Sequence, residues 1–84
     1  MAMVAFDPEA FEQYGRLPER IKARVIKVLV RLENWPDVSG AKPLRGDLAG
    51  HYRMRTGDYR VQFRVQGTVV IIERVGHRDG FYGD

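Results

Sequence analysis

The 84-residue chain predicts an α+β fold, with an N-terminal strand and two helices packed on one face of an antiparallel sheet in the order β-α-α-β-β-β. Three observations predict it. Apolar residues recur with a period near 3.6 through the first part of the chain, then with a period of 2 through the last part. The change falls across residues 39–50, a stretch punctuated by Gly40, Pro43, Gly46 and Gly50. No repeat, low-complexity segment or linker interrupts the chain, so residues 1–84 read as one domain.

Each element has its own local cause. Met3-Val4-Ala5-Phe6 is a short apolar run suited to a strand. Asp7-Pro8-Glu9 starts a helix, since Asp7 can cap it and Pro8 at the first position gives up no needed N–H. Phe11 and Tyr14 share one side of this helix, and Gly15 ends it. Leu17-Pro18-Glu19 opens a longer helix with Ile21, Val25, Val28, Leu29 and Leu32 on one stripe. Lys22, Arg24, Lys27 and Arg31 lie off that stripe, close to acidic residues, and read as solvated. Asn34-Trp35-Pro36-Asp37 stops the helix, because the residue before a proline is pushed out of the helical region. Trp35 and Phe6 read as core residues. Residues 39–50 read as loop.

The sheet follows. Tyr52 and Met54 alternate with His51, Arg53 and Arg55, and Thr56-Gly57-Asp58 turns the chain. Tyr59, Val61, Phe63 and Val65 then alternate with Arg60, Gln62 and Arg64, and Gln66-Gly67 makes the second turn. Thr68–Val75 is apolar on both faces through Val69–Ile72, which places it in the sheet interior. The tail from Gly76 onward reads as irregular.

Composition excludes several classes. There is no cysteine, hence no disulfide, thiol nucleophile or Cys-based zinc site, in keeping with a reducing cytoplasm. Two histidines, His51 and His77, make a histidine-rich metal site a poor expectation. No apolar run is long enough for a membrane span or a signal-peptide core. The net charge is +3, and it is uneven: residues 1–41 hold six basic and six acidic side chains, residues 42–84 eight and five. Arginine supplies nearly all of the excess, and its planar fork suits phosphate.

Strand alternation puts His51, Arg53 and Arg55 on one face and adds Arg60, Gln62 and Arg64 to it; Arg74 falls in line with the row. Asp58, at the turn, is the only nearby carboxylate expected. Like charges across a strand pair cost up to about 1 kcal/mol, so such a row is either the solvated side of an amphipathic sheet or an anion-binding face. His51 by itself reads as a surface histidine. His77, Arg78 and Tyr82 gather an imidazole, a guanidinium and a phenol near the C-terminus. No HExxH, GxSxG or phosphate-binding loop is present. An enzyme built from these groups works by positioning and electrostatics. RNA cleavage suits it, because the ribose 2′-hydroxyl is the nucleophile and the protein need only align it and manage charge.

The pattern Pro43-Leu44-Arg45-Gly46, Gly50–Val61 and Val75-Gly76-His77-Arg78 with Tyr82 resembles the RelE/ParE toxin superfamily, in particular the RelE-type messenger-RNA interferases of toxin–antitoxin pairs. The resemblance covers nearly the whole chain. It implies a type II toxin that acts as a ribosome-dependent endoribonuclease on mRNA in the A site, with Arg53, Arg55, Arg60, Arg78 and Tyr82 around the scissile phosphate. In that reading Arg60 grips phosphate, Arg78 stabilises transition-state charge or serves the leaving group, and Tyr82 stacks on a base or orients the 2′-hydroxyl. Arg45, His51, Arg64 and Arg74 would contact RNA or ribosome. The implied partners are a cognate antitoxin, mRNA and ribosomal RNA; no membrane, metal or cofactor is implied. The best-known members carry lysines where this chain has Arg53 and Arg55, and a guanidinium almost never gives up its proton. That leaves His77 or Tyr82 for proton transfer, or electrostatics alone. A glutamate that serves one related branch as base has no counterpart, since Lys42 precedes Pro43. The alternative is a ParE-like inhibitor of DNA gyrase without nuclease activity.

Overall fold

Val70 and Ile72 are fully buried toward the helices, while Val69 and Ile71 on the same strand are half-buried toward the other side. A strand apolar on both sides settles in a sheet interior, and this one does. The computed structural model describes residues 1–81; Tyr82, to which a site role was assigned above, lies outside the described residues. The elements are β1 (Met3–Phe6), α1 (Pro8–Gly15), α2 (Glu19–Leu32), β2 (Lys42–Pro43), β3 (His51–Thr56), β4 (Tyr59–Gln66) and β5 (Val69–His77). They form a sheet of order β1-β5-β4-β3-β2 with the helices on one face.

The sheet is mixed, not purely antiparallel. Strands β3, β4 and β5 make the expected meander, but β1 runs parallel to β5, pairing Met3 with Val69 through Phe6 with Ile72. That register covers the doubly apolar part of β5 and no more. Beyond it, the Val75 N–H donates to Gln13 Oε1 at 2.8 Å, so a side chain of α1 closes the strand edge that β1 leaves uncovered.

The core is what the 3.6 and 2 periods specify. Ile21, Val25, Val28, Leu29 and Leu32 of α2 pack with Met54, Val61, Phe63, Val70, Ile72 and Val75. Fully burying a side chain of this size contributes about 1.5–3 kcal/mol. Trp35, three residues past the end of α2, meets Tyr52 at 4.8 Å and Phe63 at 5.3 Å, both edge-on, and the following bond to Pro36 is cis. Phe6 packs against Phe11 and Tyr14.

Three local expectations need correction. Residues 39–50 are not simply loop: Lys42 and Pro43 pair with Arg53 and Tyr52, and Gly46–Leu48 makes a 3₁₀ turn. Strand β5 reaches His77, past Val75, because β4 keeps pairing with it as far as Tyr59. Asp7 occupies the N-cap position of α1, but its side chain makes no capping bond. The carboxylate is drawn to Arg64 instead, at 3.0 Å. Among the described residues, no helix is long and apolar enough to cross a membrane.

Candidate functional site

The sheet face opposite the helices carries the basic row. Gly57 and Gly67 have φ of 60° and 58°, the left-handed region that tight hairpin turns require, and they hold β3, β4 and β5 in register. Across β3 and β4, His51 lies opposite Arg64, Arg53 opposite Gln62, and Arg55 opposite Arg60. Gln62 in turn faces Arg74 on β5. The expected row therefore exists, and its neighbours divide it into two parts.

At one end the cations are neutralised. A β-bulge at Gln62/Phe63 gives β5 an extra residue, Glu73, and turns its carboxylate onto the open face. Glu73 Oε1 lies 2.6 Å from His51 Nδ1 and accepts from Gln62 Nε2 at 3.3 Å; Arg64 Nη1 donates to Glu73 Oε2 and to Asp7 Oδ2, each at 3.0 Å. Burial alone would raise the pKa of Glu73, but the bonds from His51, Arg64 and Gln62 outweigh it and hold the carboxyl below its ordinary value. The hydrogen bonds to Asp7 and then to Glu73 push Arg64 further up. Asp58 is thus not the nearest carboxylate to the row, and His51 is no lone surface histidine.

At the other end lies a cavity of about 300 Å³ lined by Gly40, Lys42, Arg53, Met54, Arg55 and Arg60. Arg53 and Arg60 are each only 8% exposed, an unusual depth for two arginines on the same face. Burial, then Arg60, then Arg74 lower the pKa of Arg53: the fold disfavours its charged form, and an anion would relieve that cost. Arg60 donates to the carbonyls of Gly57 and Tyr59 at 3.5 Å. Arg55 stands directly across from Arg60, the arrangement that strand pairs ordinarily avoid. Beside the cavity, Phe81 is buried against Gly76, with the Arg74 guanidinium 4.2 Å and that of Arg53 5.9 Å from its ring. Arg74 also donates to the carbonyl of Gly80.

The remaining site residues fall elsewhere. His77 pairs with Tyr59 and meets its ring edge-on at 5.3 Å, on the side of the sheet opposite to Arg60. Its Nδ1 accepts from the Asp79 N–H. Arg78 is exposed beside the β3–β4 turn, where its backbone N–H donates to the Asp58 carbonyl at 2.7 Å. Arg45 is exposed at the start of the 3₁₀ turn. The structure thus brings Arg53, Arg55 and Arg60 to one cavity, sets Arg74 against Phe81, and ties His51 and Arg64 into a separate network. Lys42, Glu73, Asp7 and Phe81 were not foreseen as members of this face. For Lys42 the usable signal was its position before Pro43 and three residues ahead of Arg45, close enough to β3 to pair with it.

Comparison with known proteins identifies the family of the chain. Residues 4–80 match the family described as the ParE toxin of the type II toxin–antitoxin system parDE. Toxin RelG of Mycobacterium tuberculosis is 36% identical over 81 residues, covering 94% of this chain and 93% of the relative. Toxin RelE of the same organism is 43% identical over 63 residues, 74% of this chain and 64% of the relative. Among solved structures, the toxin–antitoxin complex RelBE2 of M. tuberculosis contains a chain that superposes with a TM-score of 0.80 at 35% identity, over 92% of this chain and 91% of that one. The chain belongs to the RelE/ParE superfamily of type II toxin–antitoxin toxins.

Proposed function

We propose that this toxin is a ribosome-dependent endoribonuclease that cleaves mRNA in the A site and so inhibits translation. The observation that carries the reading is the convergence of Arg53, Arg55 and Arg60 on one cavity. A phosphodiester entering it meets bidentate donors on several sides, and a dianionic pentacoordinate phosphate gains more from them than the ground state does. The reaction is attack of the ribose 2′-hydroxyl on the adjacent phosphate, which needs alignment and charge stabilisation but no protein nucleophile and no metal. Arg60 and Arg55 grip the phosphate oxygens, and Arg53 supplies buried positive charge behind them. By resemblance alone, Arg78 stabilises transition-state charge or serves the leaving group, and Tyr82 stacks on a base or orients the 2′-hydroxyl.

The relatives named RelG and RelE, and the neighbour solved as a toxin–antitoxin complex, support a cognate antitoxin as partner. Phe11, Ile26 and Val30 are large apolar side chains left exposed on the helices, a suitable landing for a segment that folds on binding. Induced expression followed by primer extension on a reporter mRNA tests the proposal. The parent produces new 5′ ends and Arg60→Ala loses them; equal cleavage by both would remove the site assignment.

The name of the matched family favours a second reading, a ParE-like gyrase inhibitor without nuclease activity. A DNA-gyrase supercoiling assay separates the two: the ribonuclease reading expects no inhibition there.

A further inference from the structure

Proton transfer is the part of the reaction that arginines perform badly. Expulsion of a 5′-alkoxide is slow unless the oxygen receives a proton as the bond to phosphorus breaks, and a guanidinium is a poor donor. His77 lies on the opposite side of the sheet from the cavity. The cavity wall nevertheless contains one side chain of different chemistry. Lys42 lines it together with Arg53, Arg55 and Arg60, held there by its pairing with Arg53 across β2 and β3. Among the described residues it makes no hydrogen bond or ion pair that would occupy its ammonium group. An alkylammonium is by its chemistry a readier proton donor than a guanidinium, and Lys42 supplies the one such group among the described residues of the cavity wall.

We propose that Lys42 is a catalytic residue, the general acid that protonates the 5′-oxygen leaving group. The inference rests on the ribonuclease reading above and adds a residue to it. The 2′-oxygen forms a bond to phosphorus and its proton passes to water. The bond from phosphorus to O5′ breaks, and O5′ takes the proton from Lys42 Nζ. The products are a 2′,3′-cyclic phosphate and a 5′-hydroxyl end, and the amine recovers its proton from solvent. The three arginines hold the phosphate; the lysine serves the oxygen that leaves. Lys42 is exposed at the rim of the cavity and belongs to a two-residue strand, so its replacement leaves the core intact.

The test compares the parent, Lys42→Ala and Lys42→Arg in single-turnover cleavage of mRNA on programmed ribosomes, with circular dichroism confirming that each is folded. Two substrates are used: an ordinary phosphodiester and one whose 5′-bridging oxygen is replaced by sulfur, a leaving group that departs without a proton. On the oxygen substrate both variants should be slower by about 10² or more. On the sulfur substrate all three proteins should cleave within about threefold of one another. A loss that persists on the sulfur substrate would make Lys42 a phosphate-binding group only and overturn the proposal, as would a Lys42→Arg variant as fast as the parent on the oxygen substrate. If the parent cleaves neither substrate, the ribonuclease reading fails and the proposal fails with it, an outcome distinguishable from the other two.

Discussion

The two ends of the open sheet face carry the same residue types to opposite effect. At the β1 side, Arg64 and His51 share Glu73, and Arg64 also holds Asp7, all within 3.0 Å, so the cluster ties β3, β4 and β5 to the β1–α1 junction as a clamp. At the β2 side, Lys42, Arg53, Arg55 and Arg60 surround a cavity of about 300 Å³. An arginine on a β-sheet face is thus not by itself a binding residue. What separates the two ends is one bulge, which supplies a carboxylate to the first and none to the second. The proposed anion site therefore falls at the cavity and not along the whole row.

The largest effect expected from breaking this contrast is catalytic. Arg60→Ala or Arg53→Ala should lower single-turnover mRNA cleavage by about 10² to 10³, the usual loss when one preorganised donor to a developing oxyanion is removed. A loss below threefold in either variant would show that the cavity does not hold the scissile phosphate. Glu73→Gln comes next, and its effect should appear in stability. It weakens bonds to His51 and Arg64 in a site where Glu73 is only 14% exposed, and about 1–2 kcal/mol in urea denaturation is expected after allowance for solvent screening. An unchanged midpoint would contradict the clamp.

The pH dependence sharpens the same point. The folded state holds the Glu73 carboxyl below its ordinary value of 4.5, so its contribution is fully present above that pH and is lost as the pH falls through the lower, folded value. Glu73→Gln should therefore flatten the acid limb of the stability curve while leaving its shape near neutrality unchanged. A variant with the same acid limb as the parent would assign acid unfolding to other carboxylates. The smallest expected effect is that of inorganic phosphate. Because burial and its arginine neighbours disfavour the charged form of Arg53, 50 mM phosphate should raise the melting temperature by a few degrees, in line with mass-action stabilisation by a weak ligand. The same concentration should not raise it in Arg55→Ala. Equal shifts in both proteins would place the anion outside the cavity.

Much of this molecule can be read from local rules. The α2 stripe from Ile21 to Leu32 and the alternation from His51 to Val65 are periodic signals, and they specify both the core and the row of basic residues. The parts that escaped depend on pairing between distant segments. Strict alternation assigns Glu73 and Arg74 to opposite faces, and only the bulge against β4 brings both to one. Asp7 looks like a helix cap because its partner, Arg64, is 57 positions away. Lys42 sits in a glycine- and proline-rich stretch with no periodicity of its own and acquires a face only by pairing with Arg53. Phe81 joins the site through a 3₁₀ turn, Arg78–Gly80, which no hydrophobic period announces.

One pair of variants probes the proposed difference in function between the two ends. Arg55→Ala and Arg64→Ala each remove one guanidinium from the same sheet face, and both can be measured as folded proteins in single-turnover cleavage of ribosome-bound mRNA. Arg55→Ala is expected to be slower than Arg64→Ala by at least tenfold, a difference of about 1.4 kcal/mol in transition-state stabilisation. Equal rates, or a larger loss in Arg64→Ala, would contradict it.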